Sequence, residues 1–442
     1  MLEGKISKSI ILFALPIFLG NLFQQLYNVV DSLVVGNVLG DTALAAVTST
    51  GSLIFLMVGF IHGIFVGSGV TIANYFGAKN HKKLTTAVHT TLAFAFLTGL
   101  ILTVVGVGLT PWALKMMAVP DNVFPAASEY LRIYFLGGIP IVLYNACVGI
   151  FQAVGDSKRP LYYLIAAAVL NVVLDILFVA FLNLGVGGAA WATVLSQLLS
   201  AVLAFFKLTR VDGVYKVDIK KIGFNIPMLK KLLRMGIPSG VQNSVVGFAN
   251  VIVQSNINVF GSIAMAGSGS YTKLEGFAFL PITSFSLALT TFIGQNLGAK
   301  QYDRAKKGAG FGMISGVILS EVIGIVIFVF APVFIRFFND NPDVIATGTE
   351  RARIISLFFF LLAFSHLISG VLRGAGRTKI PMIVMLMSWC IIRIAYITIT
   401  LRFIPDIRVV FWAYPLTWTL SSIAFIWYFK TSNIFRVKDS VT

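Results

Sequence analysis

The chain has 442 residues, 57% of them hydrophobic and 12% charged, and its mean hydropathy is +0.89. A water-soluble protein of that length needs far more polar surface to cover itself, so the soluble classes are excluded. A formal net charge of +17 would suit a nucleic-acid binder, but the placement of the basic residues gives it another meaning.

Twelve apolar runs follow one another, at roughly 10–38, 46–76, 87–110, 127–152, 160–182, 187–208, 233–260, 265–297, 308–333, 347–372, 381–402 and 408–430. Each is long enough to cross a bilayer core of about 30 Å at 1.5 Å per helical residue. The sequence therefore predicts an all-α polytopic membrane protein with twelve transmembrane helices. The opening "MLEGKISKSIILFALPIFLG" has the basic start and apolar core of a signal peptide. No small-residue cleavage site follows, so it reads as a retained first helix.

With the N-terminus inside, 25 of the 34 Lys and Arg fall in cytoplasmic segments, among them Lys79, Lys82, Lys83, the run from Lys207 to Arg234, and Arg436 and Lys438. Seven fall in external loops or near helix ends, and two, Lys273 and Arg393, within spans. This is the positive-inside bias, which orients the chain and brings its inner face to anionic lipid. No nucleic-acid partner is needed to explain the charge. The two cysteines, Cys147 and Cys390, lie in spans and suggest neither a disulfide framework nor a thiolate metal site.

The chain repeats itself. "YFGAKNHKK" (75–83) echoes "NLGAKQYDR" (296–304), and "GIFQAVGDSKRP" (149–160) echoes "GVLRGAGRTKIP" (370–381), both at an offset of 221. Pro16 pairs with Pro238 at 222. Two six-helix lobes result, pseudo-symmetric in the parallel sense because six spans return the chain to the side it left. The expected organisation is an N-lobe over 1–206, a cytoplasmic linker over 207–232 with the amphipathic "IPMLKKLLRMG", and a C-lobe over 233–442. Paired lobes of this kind bind substrate in the cleft between them.

In the fifth run, "LNVVLDILFVAF" places Asn171 and Asp175 four residues apart, on one helix face. An aspartate at the centre of a membrane helix costs roughly 2.5–3.5 kcal/mol, and such residues are generally functional. Counting from the helix ends puts Asp31, Asn171, Asp175 and Thr193 at comparable depth in the outer half of the first lobe. Two carboxylates, an amide and a hydroxyl suit a small hard cation such as Na⁺, and equally a proton. The competing possibility is plain interhelical hydrogen bonding, strongest for Thr193. Gln24 and Tyr27 stand one to two turns before Asp31 and are candidates for lining the cleft.

The second lobe does not repeat this set: Asp175 maps onto Tyr396. Instead it carries Gln242, Asn243, Lys273, Glu275 and Arg393, candidates for substrate contact or gating. Glu275 can pair with Arg393 or locally, as a structural ion pair or a functional one. Glu321 stands alone in the ninth run, and His62, His89 and His366 are scattered. No Walker-type GxxxxGK[ST], metal-binding His/Glu motif or serine elbow occurs, so neither an enzyme nor an ATP-driven pump is expected, and no cofactor beyond a coupling ion.

These residues resemble a family. "ALPIFLGNLFQQLYNVVDSLVVG", "GAK", "QAVGDSKRP", "LNVVLD" and "GGAAWATVLSQ", in that order and spacing, are similar to the multidrug and toxic compound extrusion (MATE) transporters of the MOP flippase superfamily, nearest their bacterial DinF-like branch. The resemblance spans essentially the whole chain. It implies two lobes that alternate between inward- and outward-open states, exporting small organic, often cationic, drug-like compounds against inward Na⁺ or H⁺. It also implies that Asp31, Asn171, Asp175 and Thr193 form the cation site. Other members use an acid in the seventh helix, where this chain has Gln242 and Asn243. A monomer in the cell membrane with both termini cytoplasmic is expected. The alternatives are a flippase for a lipid-linked sugar precursor, which would want a strongly basic cavity, and a passive channel.

Overall fold

The computed structural model describes residues 1–117, 119–432 and 434–435; the side chains of Asp41 and Ser52 lie outside that description, as do Arg436 and Lys438 of the basic count. Fifteen α-helices occur among the described residues. They are α1 (Ile6–Leu39), α2 (Asp41–Gly77), α3 (His81–Met116), α4 (Phe124–Leu136), α5 (Gly138–Ala153), α6 (Lys158–Asp175), α7 (Gly185–Arg210) and α8 (Ile226–Asn258). Then follow α9 (Ser262–Gly298), α10 (Tyr302–Arg336), α11 (Pro342–Ser356), α12 (Phe359–Gly374), α13 (Lys379–Met385), α14 (Arg393–Phe403) and α15 (Ile407–Thr431). Wide π-helical turns, Ile176–Phe181 and Leu386–Ile392, continue α6 and join α13 to α14.

The twelve expected spans map onto these elements in order. Among the described residues nine helical stretches, counting each π-helical turn with its flanking helix, are long and apolar enough to cross a membrane. Two further spans are bent pairs, α4–α5 at 52° and α11–α12 at 54°. The seventh expected span, within α8, is not among the eleven, because Gln242, Asn243, Asn250 and Gln254 interrupt its apolar run. The chain is a polytopic helical membrane protein.

The backbone carries the repeat where the side chains do not. Left-handed conformations recur at the offset of 221: Gly40 and Gly261 (φ 83° and 94°), Lys79 and Lys300 (53° and 59°), Gly155 and Gly376 (93° and 75°). The helix-ending bonds match too, with Asn80 N donating to Tyr75 O at 3.0 Å and Gln301 N to Asn296 O at 2.8 Å. Such a C-terminal turn favours glycine, and a side chain there costs about 1 kcal/mol. Lys300→Gly is accordingly expected to raise stability by about that amount, read as an upward shift of the thermal unfolding midpoint in detergent.

The two bends also correspond. Gly137 N donates to Tyr134 O at 3.0 Å, and its counterpart Phe358 N to Ile355 O at 3.1 Å. The shared bend therefore does not depend on glycine. In the second copy Glu321, half-buried in α10, accepts a hydrogen bond from Phe360 N at 2.9 Å. It satisfies one of the orphan amides of the restarting helix α12. This accounts for the acid that stood alone in the ninth run.

Two compact bodies form, Leu19–Gly240 and Met1–Phe18 with Val241–Thr442. They do not follow the sequence halves, and two local contacts say why. The first turns of α1 bury Ile10, Phe13, Ala14 and Ile17 in one core with Val253, Phe292, Phe359 and Trp418. Arg304 holds the same segment by donating to Gly4 O and Glu3 O at 2.8 and 2.9 Å. The linker, conversely, packs on the first body. Asp218 N donates to His89 Nε2 at 3.0 Å, Lys231 Nζ to Tyr75 Oη at 2.8 Å, and Val217 is buried. The amphipathic segment is not a separate surface helix but the first turns of α8.

Candidate functional site

Asp31 comes from the second half of α1, and Asn171 and Asp175 from the last turns of α6. Asp175 is fully buried, Asn171 is 2% exposed and Asp31 9%. The two carboxyl groups are close neighbours. Ionised, they cannot bond, because neither has a proton to donate. Asp31 Oδ1, both oxygens of Asp175 and both amide atoms of Asn171 are buried without a hydrogen-bond partner. Five orphaned polar atoms in one place are a large deficit for a native interior. The oxygens among them fit a small hard cation, or a proton shared by the acids.

Directly after Asp175 the helix widens into its π-helical turn, and Leu184 N reaches back to Phe178 O at 2.9 Å. Such turns are frequent at functional sites. The depth count from the helix end, made at α-helical rise, does not hold across this segment. Thr193 is half-buried and its hydroxyl donates to Ala189 O at 3.2 Å, within its own helix. It makes no hydrogen bond to the acids among the described residues.

Tyr27 is half-buried, with Gln24 and Gln197 in the neighbourhood of its hydroxyl. Gln24 itself is exposed. Sequence reasoning missed Gln197 and the buried Tyr130 and Tyr134, whose hydroxyls lie in the neighbourhood of Tyr27, with Asp31 also near that of Tyr130. The signal was there: Tyr130 and Tyr134 are four apart in "EYLRIYF", on one face of α4. Among the described residues no group of three or more His, Cys, Asp or Glu could hold a metal ion.

In the second body Gln242 is buried and its amide donates to Met385 Sδ at 2.8 Å, and Asn243 is half-buried. Arg393 is 2% exposed; its Nε and Nη2 donate to Thr417 Oγ1 at 3.1 and 2.8 Å, and its guanidinium lies 4.4 Å from the Tyr414 ring centre. The other side of that cluster is Arg351, which sequence reasoning did not single out. Arg351 is equally buried, donates to Ser268 O at 3.2 Å and Tyr414 Oη at 3.4 Å, and stands over Tyr271 at 5.0 Å.

Glu275 is half-buried and forms no ion pair among the described residues, either with Arg393 or with Lys273. The charges that act on it most are Arg351 and then Arg393. Lys273 is exposed, 5.7 Å from the Phe338 ring, and takes no part in the cluster. Two buried guanidiniums against one carboxylate leave a net positive patch lined by Tyr271, Tyr414 and Trp389. The histidines have structural places. His62 bonds Asn145 at 3.0 Å, His89 ties the linker to α3, and His366 sits between Phe279 and Trp389.

Comparison with known proteins agrees with this architecture. The MatE family model matches residues 16–177 and again 238–399, one match per repeat. A probable multidrug resistance protein of Bacillus subtilis, YoeA, is 31% identical over 385 residues, covering 85% of this chain and 83% of that one. The probable multidrug resistance protein NorM of Thermotoga maritima is 28% identical over 397 residues, covering 87% and 83%. Among solved structures, a MOP superfamily transporter from Pyrococcus furiosus, described as having a binding pocket of reversed polarity, superposes with a TM-score of 0.92 at 22% identity, covering 99% of this chain and 98% of that one. An outward-facing multidrug resistance MATE transporter superposes at 0.90, with 22% identity and coverage of 97% and 96%. With the family pattern matched in both halves and a near full-length relative at 31% identity, the chain belongs to the MATE family of membrane transporters.

Proposed function

We propose that the protein is a secondary antiporter that expels small organic compounds while Na⁺ or H⁺ enters through Asp31, Asn171 and Asp175. The observation that carries this reading is the buried acid pair with its five unpartnered atoms. A group neutralised once per cycle explains two carboxyls where water is excluded. Thr193 has a weaker claim to the same site, since its hydroxyl is already engaged within α7. The names of the multidrug relatives support drug-like substrates. The basic loops support cytoplasmic termini in the cell membrane. Alternating access of two lobes by a monomer completes the reading, with Gln24, Tyr27, Gln242, Asn243 and the Arg393 cluster as substrate contacts.

The test is transport of ethidium and of norfloxacin by the purified protein in liposomes, under an imposed Na⁺ gradient and a pH gradient in turn. Uptake driven by one gradient supports the antiporter and names its ion. Movement independent of either gradient means a channel, and no movement of either compound removes the drug-export reading.

A second reading rests on the patch around Arg351 and Arg393. Its excess positive charge suits an anionic group, and the Pyrococcus furiosus neighbour is described as a transporter whose reversed pocket polarity suggests a different function. A lipid-linked precursor flippase is the form this would take. Scrambling of a pyrophosphate-bearing lipid in the same liposomes would favour it.

A further inference from the structure

The seven basic residues expected outside depart from the positive-inside bias, and three of them converge. Arg336 at the end of α10, Arg353 on α11 and Arg408 at the start of α15 line one open cavity of about 890 Å³. Two acids share it, Asp340 and Glu350, so its formal charge is +1. Glu350 is engaged by Arg408 at 2.6 Å. Arg336 and Arg353 have no carboxylate partner among the described residues. Between the charged groups the wall is apolar, with Ile345, Ile354, Leu357 and Trp412. One uncharged polar side chain lies in that wall: Thr349 lines the cavity and is 8% exposed, and its hydroxyl is buried with no hydrogen-bond partner.

The cavity lies where membrane helices end. Phe337 and Phe403, at the same ends of α10 and α14, are 76% and 79% exposed, and Trp412 is 46% exposed. An exposed tryptophan beside helix ends, here Trp412, marks the depth at which hydrocarbon gives way to headgroups. A ligand there meets apolar wall on the bilayer side and guanidinium on the water side. A free phosphate would leave the wall uncovered, and a cation would be repelled by the net charge.

From this geometry we infer that the cavity is a binding site for an anionic phospholipid of the bilayer leaflet it faces. The phosphodiester takes Arg336 and Arg353, Thr349 donates its hydroxyl to a phosphate or ester oxygen, and an acyl chain covers Leu357 and Trp412. Guanidinium pairs planar anionic oxygens in this way. A single negative charge matches the cavity's net +1. The site is distinct from the acid pair and does not depend on which ion or compound is transported.

The test is lipid binding by the purified, delipidated protein, read by native mass spectrometry and by the thermal shift on adding phosphatidylglycerol, phosphatidylcholine or glycerol phosphate. Phosphatidylglycerol is expected to bind roughly tenfold more tightly than phosphatidylcholine, the size of one charge-assisted hydrogen bond. The double variant Arg336→Gln, Arg353→Gln should lose that preference, and Thr349→Val should lose part of it. Arg402→Gln, which removes a charge near the same helix ends outside the cavity, should keep it. Equal unfolding midpoints in phosphatidylcholine establish that a variant is folded; if the double variant is not, each single variant must still lose preference. A preference intact in the variants, or lost equally in Arg402→Gln, overturns the site. Competition by glycerol phosphate as effective as by the lipid replaces it with a site for soluble anions.

Discussion

Asp175→Asn is expected to abolish uphill transport while leaving the protein folded. One cation entering at 100 mV supplies about 2.3 kcal/mol, and a tenfold gradient adds about 1.4 kcal/mol. Together these sustain a substrate gradient of up to about 500-fold for a neutral compound, or about tenfold when a monocation leaves per cation entering. The isosteric amide can hydrogen-bond Asp31 but cannot take up and release a cation. The accumulation ratio should therefore fall to near unity with substrate binding retained. Stability moves the other way: a fully buried carboxylate without a partner is replaced by a neutral group, so the unfolding midpoint should hold or rise. Asp31→Asn should behave alike, because the two acids share one task. Gradient-driven accumulation in liposomes decides it. A variant that still concentrates substrate would place the coupling in the other body, and the Glu275 cluster would become its first candidate.

How much of this was legible in the sequence depends on what each feature rests on. The duplication was legible because turns need particular residues: "GAK" and "VGD" mark left-handed positions that recur at Lys300 and Gly376. Asp31, Asn171 and Asp175 were legible because membrane burial makes polarity expensive, so each polar residue is conspicuous. Asp31 and Asp175 are close neighbours in the structure. The depth of Asp175 relative to Thr193 rests on α-helical rise across Ile176–Phe181, a segment that is π-helical, a register that side-chain pattern does not encode. Arg351 escaped notice because it sits four residues inside the tenth run, near a loop where arginine is ordinary; only its burial between Tyr271 and Tyr414 sets it apart. The boundary between the bodies was marked only by the paired prolines, Pro16 and Pro238, two residues before each crossing point. It falls inside continuous helices, at Phe18 and Gly240, where the apolar pattern runs on without a break.

The largest structural effect should come from glycines at the second of those boundaries. Within the first body, α2 and the first half of α8 cross backbone to backbone. A Cβ placed on Gly63 would stand 2.5 Å from Ser239 O and 2.7 Å from Gly240 Cα. One on Gly67 would meet Met235 O and lie 2.8 Å from Gly236 Cα. The approach is reciprocal, since a Cβ on Gly236 or Gly240 would lie 2.7 Å from Ile64 O or 2.8 Å from Phe60 O. Small residues four apart are what permit such packing between membrane helices. The obstacles are backbone atoms, so no rotamer change relieves the clash and the helices must separate. Gly63→Ala is expected to cost about 1–3 kcal/mol, and Gly63→Leu more. Gly51, also in α2, has open space where its Cβ would be. Gly51→Ala should be neutral or stabilise by up to about 1 kcal/mol through helix propensity alone. Because α8 runs unbroken from this crossing to Gln242 and Asn243, the Gly63 and Gly240 variants should lose transport along with stability. Unfolding midpoints and liposome transport measured on the same preparations separate the cases. Gly63→Leu melting with the wild type would mean that the crossing is loose and that α8 is not held by it.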